Sequence, residues 1–271
     1  MYKLIAIDLD GTLLTDELTI TPRTIQAIQK AVELGTVVTI ATGRMYPSAK
    51  QFAQKLGIQV PVITYQGAII KDIAADEVLY ERLIPADIAQ GLVDIAKEKN
   101  LHLQVYQDDI LYGAIESDKL IAYAEKSKVP YQIEPDFSKL AQQGFTKALF
   151  IEEPEILDAL QDELRTLFGE RAHVAKSLVN YLEVTHPEAN KGSALLHLAS
   201  KLGIDRTETI GIGDNHNDME LIQTAGLGVA MGNAVQALKD IADYTSLTNN
   251  EEGVCHTIEK FVLEPMGATI E

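Results

Sequence analysis

The chain has 271 residues, 46% of them apolar and 6% aromatic, enough for one large domain or two ordinary ones with a substantial core. Its 40 acidic and 23 basic residues leave a formal charge of −17, which opposes nucleic acid as a default partner because phosphate neutralisation needs clustered Lys and Arg. The single Cys255 excludes an intramolecular disulfide, and no apolar run approaches the length of a membrane span. The opening MYKLIAIDLD has neither a basic leader nor a separate apolar stretch, so no signal peptide and a cytoplasmic, reducing location are expected.

Residues 3–9 read as a buried parallel strand, a continuous apolar run that ends on Asp8 and Asp10 and then Gly11-Thr12. Thr21-Pro22 marks a helix start, Ile25, Ile28, Ala31 and Val32 recur at helical spacing, and Gly35 closes the helix. A second buried strand, TVVTIA at 36–41, runs into Thr42-Gly43-Arg44. A helix over roughly 47–56 leads to a third apolar run, PVITY, and to Gln66-Gly67. Strand and helix alternating in this way predict a doubly wound parallel sheet.

The pattern changes after about residue 83. HLQVY at 102–106, ILYGAI at 110–115, KALFI at 147–151 and NYLEV at 180–184 read as half-exposed strands, with helices near 86–99, 117–127 and 154–168. This predicts an antiparallel α+β module over 84–187, bounded near Ile84-Pro85 and His186-Pro187. The first pattern returns from Lys191: a helix to Leu202, strand ETIGIG at 208–213, a helix from about 215, strand LGVAM at 227–231 and a helix near 251–262. The chain therefore reads as an α/β core, 1–83 with 188–271, carrying an inserted module; the tail PMGATIE is expected to fray.

Ligands of open α/β sheets bind outside the carboxyl ends of the strands, where this sequence places its chemistry-bearing residues. Asp8 and Asp10 are spaced i, i+2, so in extended backbone they face the same way. With Asp214 and Asp218 they form a set of carboxylates that repels itself unless a divalent cation intervenes, and all-oxygen ligands suit Mg²⁺. A lone aspartate after a strand commonly forms a turn or caps a helix, Thr42 alone is an ordinary turn hydroxyl, and Lys191 alone an ordinary solvated residue. The joint pattern is what points to a site.

DLDGTLL at 8–14, ATGR at 41–44, NKGSAL at 190–195 and GDNHNDMELI at 213–222 resemble the four motifs of the haloacid dehalogenase superfamily. AGLGVAMGNA at 225–234 and the insertion after the third strand resemble its Cof-type phosphatases; Gln66 stands where that pattern has Asn. The resemblance implies an Mg²⁺-dependent phosphatase acting on small phosphomonoesters such as sugar phosphates. Asp8 would be the nucleophile and would form an aspartyl-phosphate, and Asp10 would be the general acid and base. Asp8, the Asp10 carbonyl, Asp214 and Asp218 would hold the metal. Thr42, Gly43, Arg44, Lys191 and Asn217 would bind phosphate or substrate, and the module at 84–187 would act as a specificity cap. A phosphomutase, or a non-catalytic binding protein on the same fold, is the alternative.

Overall fold

A computed structural model describes residues 1–270; the last residue of the PMGATIE tail lies outside the described residues. The chain runs β1 (Leu4–Ile7), α1 (Pro22–Glu33), β2 (Val37–Ile40), α2 (Tyr46–Lys55), β3 (Val62–Thr64), β4 (Ile69–Lys71) and β5 (Val78–Glu81). Next come α3 (Ala86–Glu98), β6 (Leu103–Gln107), β7 (Ile110–Gly113), α4 (Asp118–Ser127), β8 (Tyr131–Ile133), α5 (Phe137–Ala141), β9 (Lys147–Ile151), α6 (Pro154–Phe168), β10 (His173–Leu178) and β11 (Tyr181–Thr185). It finishes with α7 (Lys191–Lys201), β12 (Thr209–Gly213), α8 (Met219–Thr224), β13 (Leu227–Ala230), α9 (Gln236–Lys239), β14 (Tyr244–Thr245) and α10 (Gly253–Ile258). Two compact units result, Met1–Tyr80 with Asn190–Glu271 and the intervening Glu81–Ala189, against the 84–187 expected for the insertion.

In the first unit, five strands form a parallel sheet in the order β14-β13-β12-β1-β2. β1 lies inside the sheet between β12 and β2, with Leu4 level with Val37 on one side and Thr209 on the other. Leu4, Ile5 and Ile7 are at most 1% exposed, and burying each contributes about 1.5–3 kcal/mol, which fixes the strand that carries Asp8. The Thr21 hydroxyl caps α1 by accepting the Thr24 N–H, and Pro22 opens the first turn, as the sequence predicts.

The third apolar run differs from expectation. Its contact with β2 is parallel, as expected, but is a single bridge, Ala41 to Ile63; otherwise it pairs antiparallel with β4 in a separate three-stranded sheet β3-β4-β5. The physical reason lies in Tyr65, Gln66 and Gly67, whose φ values of 52°, 62° and 96° turn the chain straight back on itself after three strand residues.

The second unit carries a six-stranded sheet, β10-β11-β9-β6-β7-β8, antiparallel except for the parallel β7–β8 pair joined through α4. One face packs Leu103, Val105, Ala148, Phe150, Leu182 and Val184 against α3, α5 and α6. Lys147 on β9 is buried and pairs with Glu183 on β11 at 3.1 Å, lying 4.9 Å from the Tyr106 ring.

Candidate active site

The carboxyl ends of β12, β1 and β2 lie side by side, and the chain leaves β1 toward β2 but later returns on its β12 side, so β1 and β12 border a topological switch point. Asp8 extends the ladder by one residue, its N–H donating to the Ile212 carbonyl at 3.0 Å, so its side chain starts from fixed backbone. Lys191, the first residue of α7, is held there because Asn190 caps the helix by accepting the Ser193 N–H at 2.7 Å.

Lys191 is fully buried and bridges two carboxylates. Its Nζ lies 2.5 Å from Asp8 Oδ1 and 2.6 Å from Asp218 Oδ1. Asp218 Oδ2 accepts the backbone N–H groups of Asp214 and Asn215 at 3.0 and 3.1 Å, so this one residue holds the lysine and shapes the loop after β12. Asp214 accepts the Thr12 hydroxyl at 3.0 Å. Asp8, Asp214 and Asp218 each offer an oxygen within 4.8 Å of the others. The loops close this tightly because two glycines carry no Cβ: one at Gly11, where φ is +77°, would collide with the Asp214 carboxylate, and one at Gly213 with that of Asp218.

Burial pushes the Asp8 carboxyl well above the ordinary range, with the Asp218 and Asp214 charges adding to it against the opposing pull of Lys191. Burial likewise raises Asp214, to about 6, reinforced by Asp218 and opposed by the Thr12 hydrogen bond. For Lys191 burial alone acts downward, but Asp218 and Asp8 outweigh it and the ammonium is held charged. Three clustered carboxylates thus face one cation. An all-oxygen set with that excess of negative charge fits a hard divalent ion.

The remaining predicted residues form a second layer. Thr42 is buried after β2; its N–H donates to Ile63, its carbonyl accepts from Gln66, and its hydroxyl accepts the Arg44 N–H at 3.1 Å. Arg44 and the half-exposed Asp10 form a bidentate pair, Nε to Oδ2 at 2.8 Å and Nη2 to Oδ1 at 2.6 Å. Gly43 packs where a Cβ would strike the Gln66 side chain. Asn217 is exposed, and its amide donates to Gln66 Oε1 at 3.1 Å. The structure therefore gathers Asp8, Asp214, Asp218 and Lys191 into one cluster, sets Asp10 with Arg44, and ties Asn217 to Gln66.

Four supporting residues lie outside the predicted set of site residues, although Thr12 was expected to shape the turn after β1 and Gln66 was noted as a departure from the family pattern. Thr12 orients Asp214, and Gln66 links the loop after β2 to Asn217. Asn233 donates to the Gly11 carbonyl at 2.8 Å, and Asn249 donates its backbone N–H to Asn233 Oδ1 and its amide to the Leu14 carbonyl. The MGNA stretch at 231–234, a polar side chain closing an apolar run, was the available signal for Asn233; Asn249 had none.

The family profile for haloacid dehalogenase-like hydrolases matches residues 5–258, and the chain belongs to that family. Among named relatives, it is 33% identical over 269 residues to the HMP-PP phosphatase of Serratia proteamaculans, covering 98% of this chain and 97% of that one. It is 31% identical over 263 residues to the 5-amino-6-(5-phospho-D-ribitylamino)uracil phosphatase YitU of Bacillus subtilis, covering 95% and 97%. The crystal structure of TM0651 from Thermotoga maritima superposes with a TM-score of 0.88 at 36% identity, over 96% of this chain and 98% of the other.

Proposed function

We propose that this protein hydrolyses small phosphomonoesters through an aspartyl-phosphate on Asp8, with Mg²⁺ as its metal. The observation that carries the reading is the Lys191 ammonium set between Asp8 and Asp218, with Asp214 alongside, at the carboxyl end of the buried strand β1. Lys191 takes Asp8 Oδ1, leaving Oδ2 as the attacking atom. That oxygen forms a bond to phosphorus as the ester P–O bond breaks, and the leaving alkoxide takes a proton from Asp10. Water then attacks the phosphorus and gives its proton to Asp10; the bond to Asp8 breaks and phosphate departs. The Thr42 hydroxyl, which accepts from Arg44, keeps its own hydrogen for a phosphoryl oxygen.

Asp8, through the lone pair of Oδ1 that Lys191 leaves open, and Asp214 would hold the metal directly, and Asp218, which already accepts three hydrogen bonds from Lys191 and the loop, would contribute charge and position. Bound there, the ion supplies neutralisation of the carboxylates and of the transferring phosphoryl group. The unit Glu81–Ala189 is assigned substrate discrimination, on the ground that it enters between the β2 loop and Lys191 in the chain. The relatives named above are phosphatases of phosphorylated small molecules, which supports that substrate class. Among the described residues no helix is long and apolar enough to cross a membrane, and the free Cys255 accords with a reducing cytosol.

The test is phosphate release from a panel of phosphorylated metabolites, with Mg²⁺ or with chelator, beside Asp8→Asn. Metal-dependent release that the substitution abolishes is expected, together with a trapped phosphoryl group on Asp8 in the wild type. Transfer of the group back to the substrate carbon skeleton without free phosphate would establish a mutase instead. Release that survives in Asp8→Asn would end the nucleophile assignment.

A further inference from the structure

Arg44 lies on the loop after β2 and reaches across to the loop after β1. Both its fork nitrogens go to Asp10, a side chain that is 52% exposed and lies on a loop where Gly11 has φ +77°. An exposed aspartate on such a loop has no packing to choose its rotamer, and a bidentate guanidinium is the group that fixes the plane of a carboxylate as well as its position. Arg44 is in turn well anchored. Its guanidinium lies 5.0 Å from the centre of the Phe52 ring and 3.4 Å from Ser48 Oγ. Its backbone N–H donates to Thr42 Oγ1, and its carbonyl accepts the Tyr65 N–H at 3.0 Å.

We infer that Arg44 is the positioning residue of the proton-transferring group, holding the Asp10 carboxyl where the leaving oxygen will depart, and is not a phosphate ligand. The inference rests on the reading of Asp10 as general acid and base. A carboxylate has about four lone-pair sites, and the fork occupies one on each oxygen, so one oxygen can carry and release a proton while the guanidinium keeps the group in place. Proton transfer in the transition state is sensitive to small displacements, so a loosely held Asp10 loses rate even though it keeps its chemistry. Phe52 and Ser48 on α2 are the second tier of the same device: they orient Arg44, which orients Asp10.

A structural or phosphate-binding role for Arg44 would slow all substrates alike, whereas a role in positioning the acid slows those whose leaving group needs a proton. The experiment measures kcat/KM, which reports the first irreversible step, for p-nitrophenyl phosphate, phenyl phosphate and glycerol 2-phosphate. It compares wild type, Asp10→Asn, Arg44→Ala, Arg44→Lys and Phe52→Leu, each with its thermal midpoint. For Arg44→Ala the expected loss on glycerol 2-phosphate is roughly 10²-fold or more, the scale of general acid catalysis, and on p-nitrophenyl phosphate less than about tenfold. Arg44→Lys, which keeps the charge and loses the fork, falls between, and Phe52→Leu shows a weaker loss with the same dependence on leaving group. Equal losses on all three substrates in Arg44→Ala, with Asp10→Asn still dependent on the leaving group, would overturn the role of Arg44. Asp10→Asn losing equally on all three would overturn the acid assignment beneath it. Should Arg44→Ala fail to fold, Arg44→Lys and Phe52→Leu carry the same comparison.

Discussion

Replacing Lys191 by Met keeps most of the side-chain volume and removes only the ammonium. What remains is a pair of carboxylates, Asp8 at 7% side-chain exposure and Asp218 at 0%, with Asp214 beside them and no cation. Removing one partner of a buried ion pair costs about 3–5 kcal/mol, and here one ammonium serves two partners. That is a large share of the roughly 5–15 kcal/mol available to an ordinary folded protein, and should lower the thermal midpoint by about 6–20 °C. The sign with pH follows from the same geometry. Without the ammonium, the folded-state pKa of Asp8 rises further above its unfolded value. The folded protein then binds protons that the unfolded chain does not, so the variant regains stability as pH falls. Urea denaturation followed by circular dichroism in EDTA, at about pH 8 and about pH 5.5, should show the gap to wild type narrowing at the lower pH. Mg²⁺ at a hundred times its dissociation constant should return up to about 2.7 kcal/mol, since it answers the same carboxylates. A loss below about 1 kcal/mol at the higher pH, or a gap that does not narrow, would refute the charge balance assigned to the cluster.

Three smaller perturbations follow from local geometry. Gly11→Ala places a methyl group against the Asp214 carboxylate at a φ of +77°, so it should cost about 1–2 kcal/mol in stability and weaken Mg²⁺ binding measured by calorimetry; unchanged affinity would show that the loop gives way freely. Burial pushes the Cys255 thiol up to about 12, so Ellman's reagent should find no reactive thiol in the native protein and one per chain in denaturant. Hydrogen bonds from Lys50 and Tyr46, with Lys71 adding to them, lower Asp76 to about 2. Its contribution is present above the unfolded value near 4 and lost as pH falls toward 2, so Asp76→Asn should reduce stability by under about 1 kcal/mol at neutral pH and have no effect near pH 2.

The parts of the fold that were legible in the sequence are those governed by local periodicity. β1, β2 and β12 are continuous apolar runs because both faces are covered, and each ends in polar residues because ligand chemistry sits at the carboxyl edge. The candidate residues Asp8, Asp214 and Lys191 were legible by the same logic, since each lies at the end of a readable element. PVITY was read as another parallel strand because an apolar run does not encode its own turn; three consecutive positive φ values, two of them at Tyr65 and Gln66, carry no pattern that composition exposes. KALFI read as a half-exposed strand, yet all five of its residues are buried, Lys147 included, because Glu183, 36 residues away, meets its ammonium across the β9–β11 pairing. The Arg44–Asp10 pair likewise joins two loops 34 residues apart, and no spacing rule links them.

Charge ties these observations to the chemistry. A chain at −17 that handles a phosphate dianion must concentrate positive charge locally, and the structure shows how little is to spare. Lys191 answers two carboxylates at once, while Asp214 accepts the Thr12 hydroxyl and feels the Lys191 charge without pairing to it directly. Three acids against one ammonium leave the ionised cluster at −2, since 3 − 1 = 2. A phosphoryl group brought against Asp8 adds to that excess, and burial prevents water from screening it. In the proposed mechanism Lys191 therefore cannot serve as the whole phosphate site by itself, and a divalent cation would supply the charge that lets Asp8 and its substrate meet. On this account chelation should abolish phosphoryl transfer to Asp8 as well as turnover, so that no phosphoenzyme accumulates on mixing substrate with EDTA-treated protein. A phosphoenzyme formed at the full rate in EDTA would mean that Lys191 and Thr42 suffice, and the cation would lose its place in the first step.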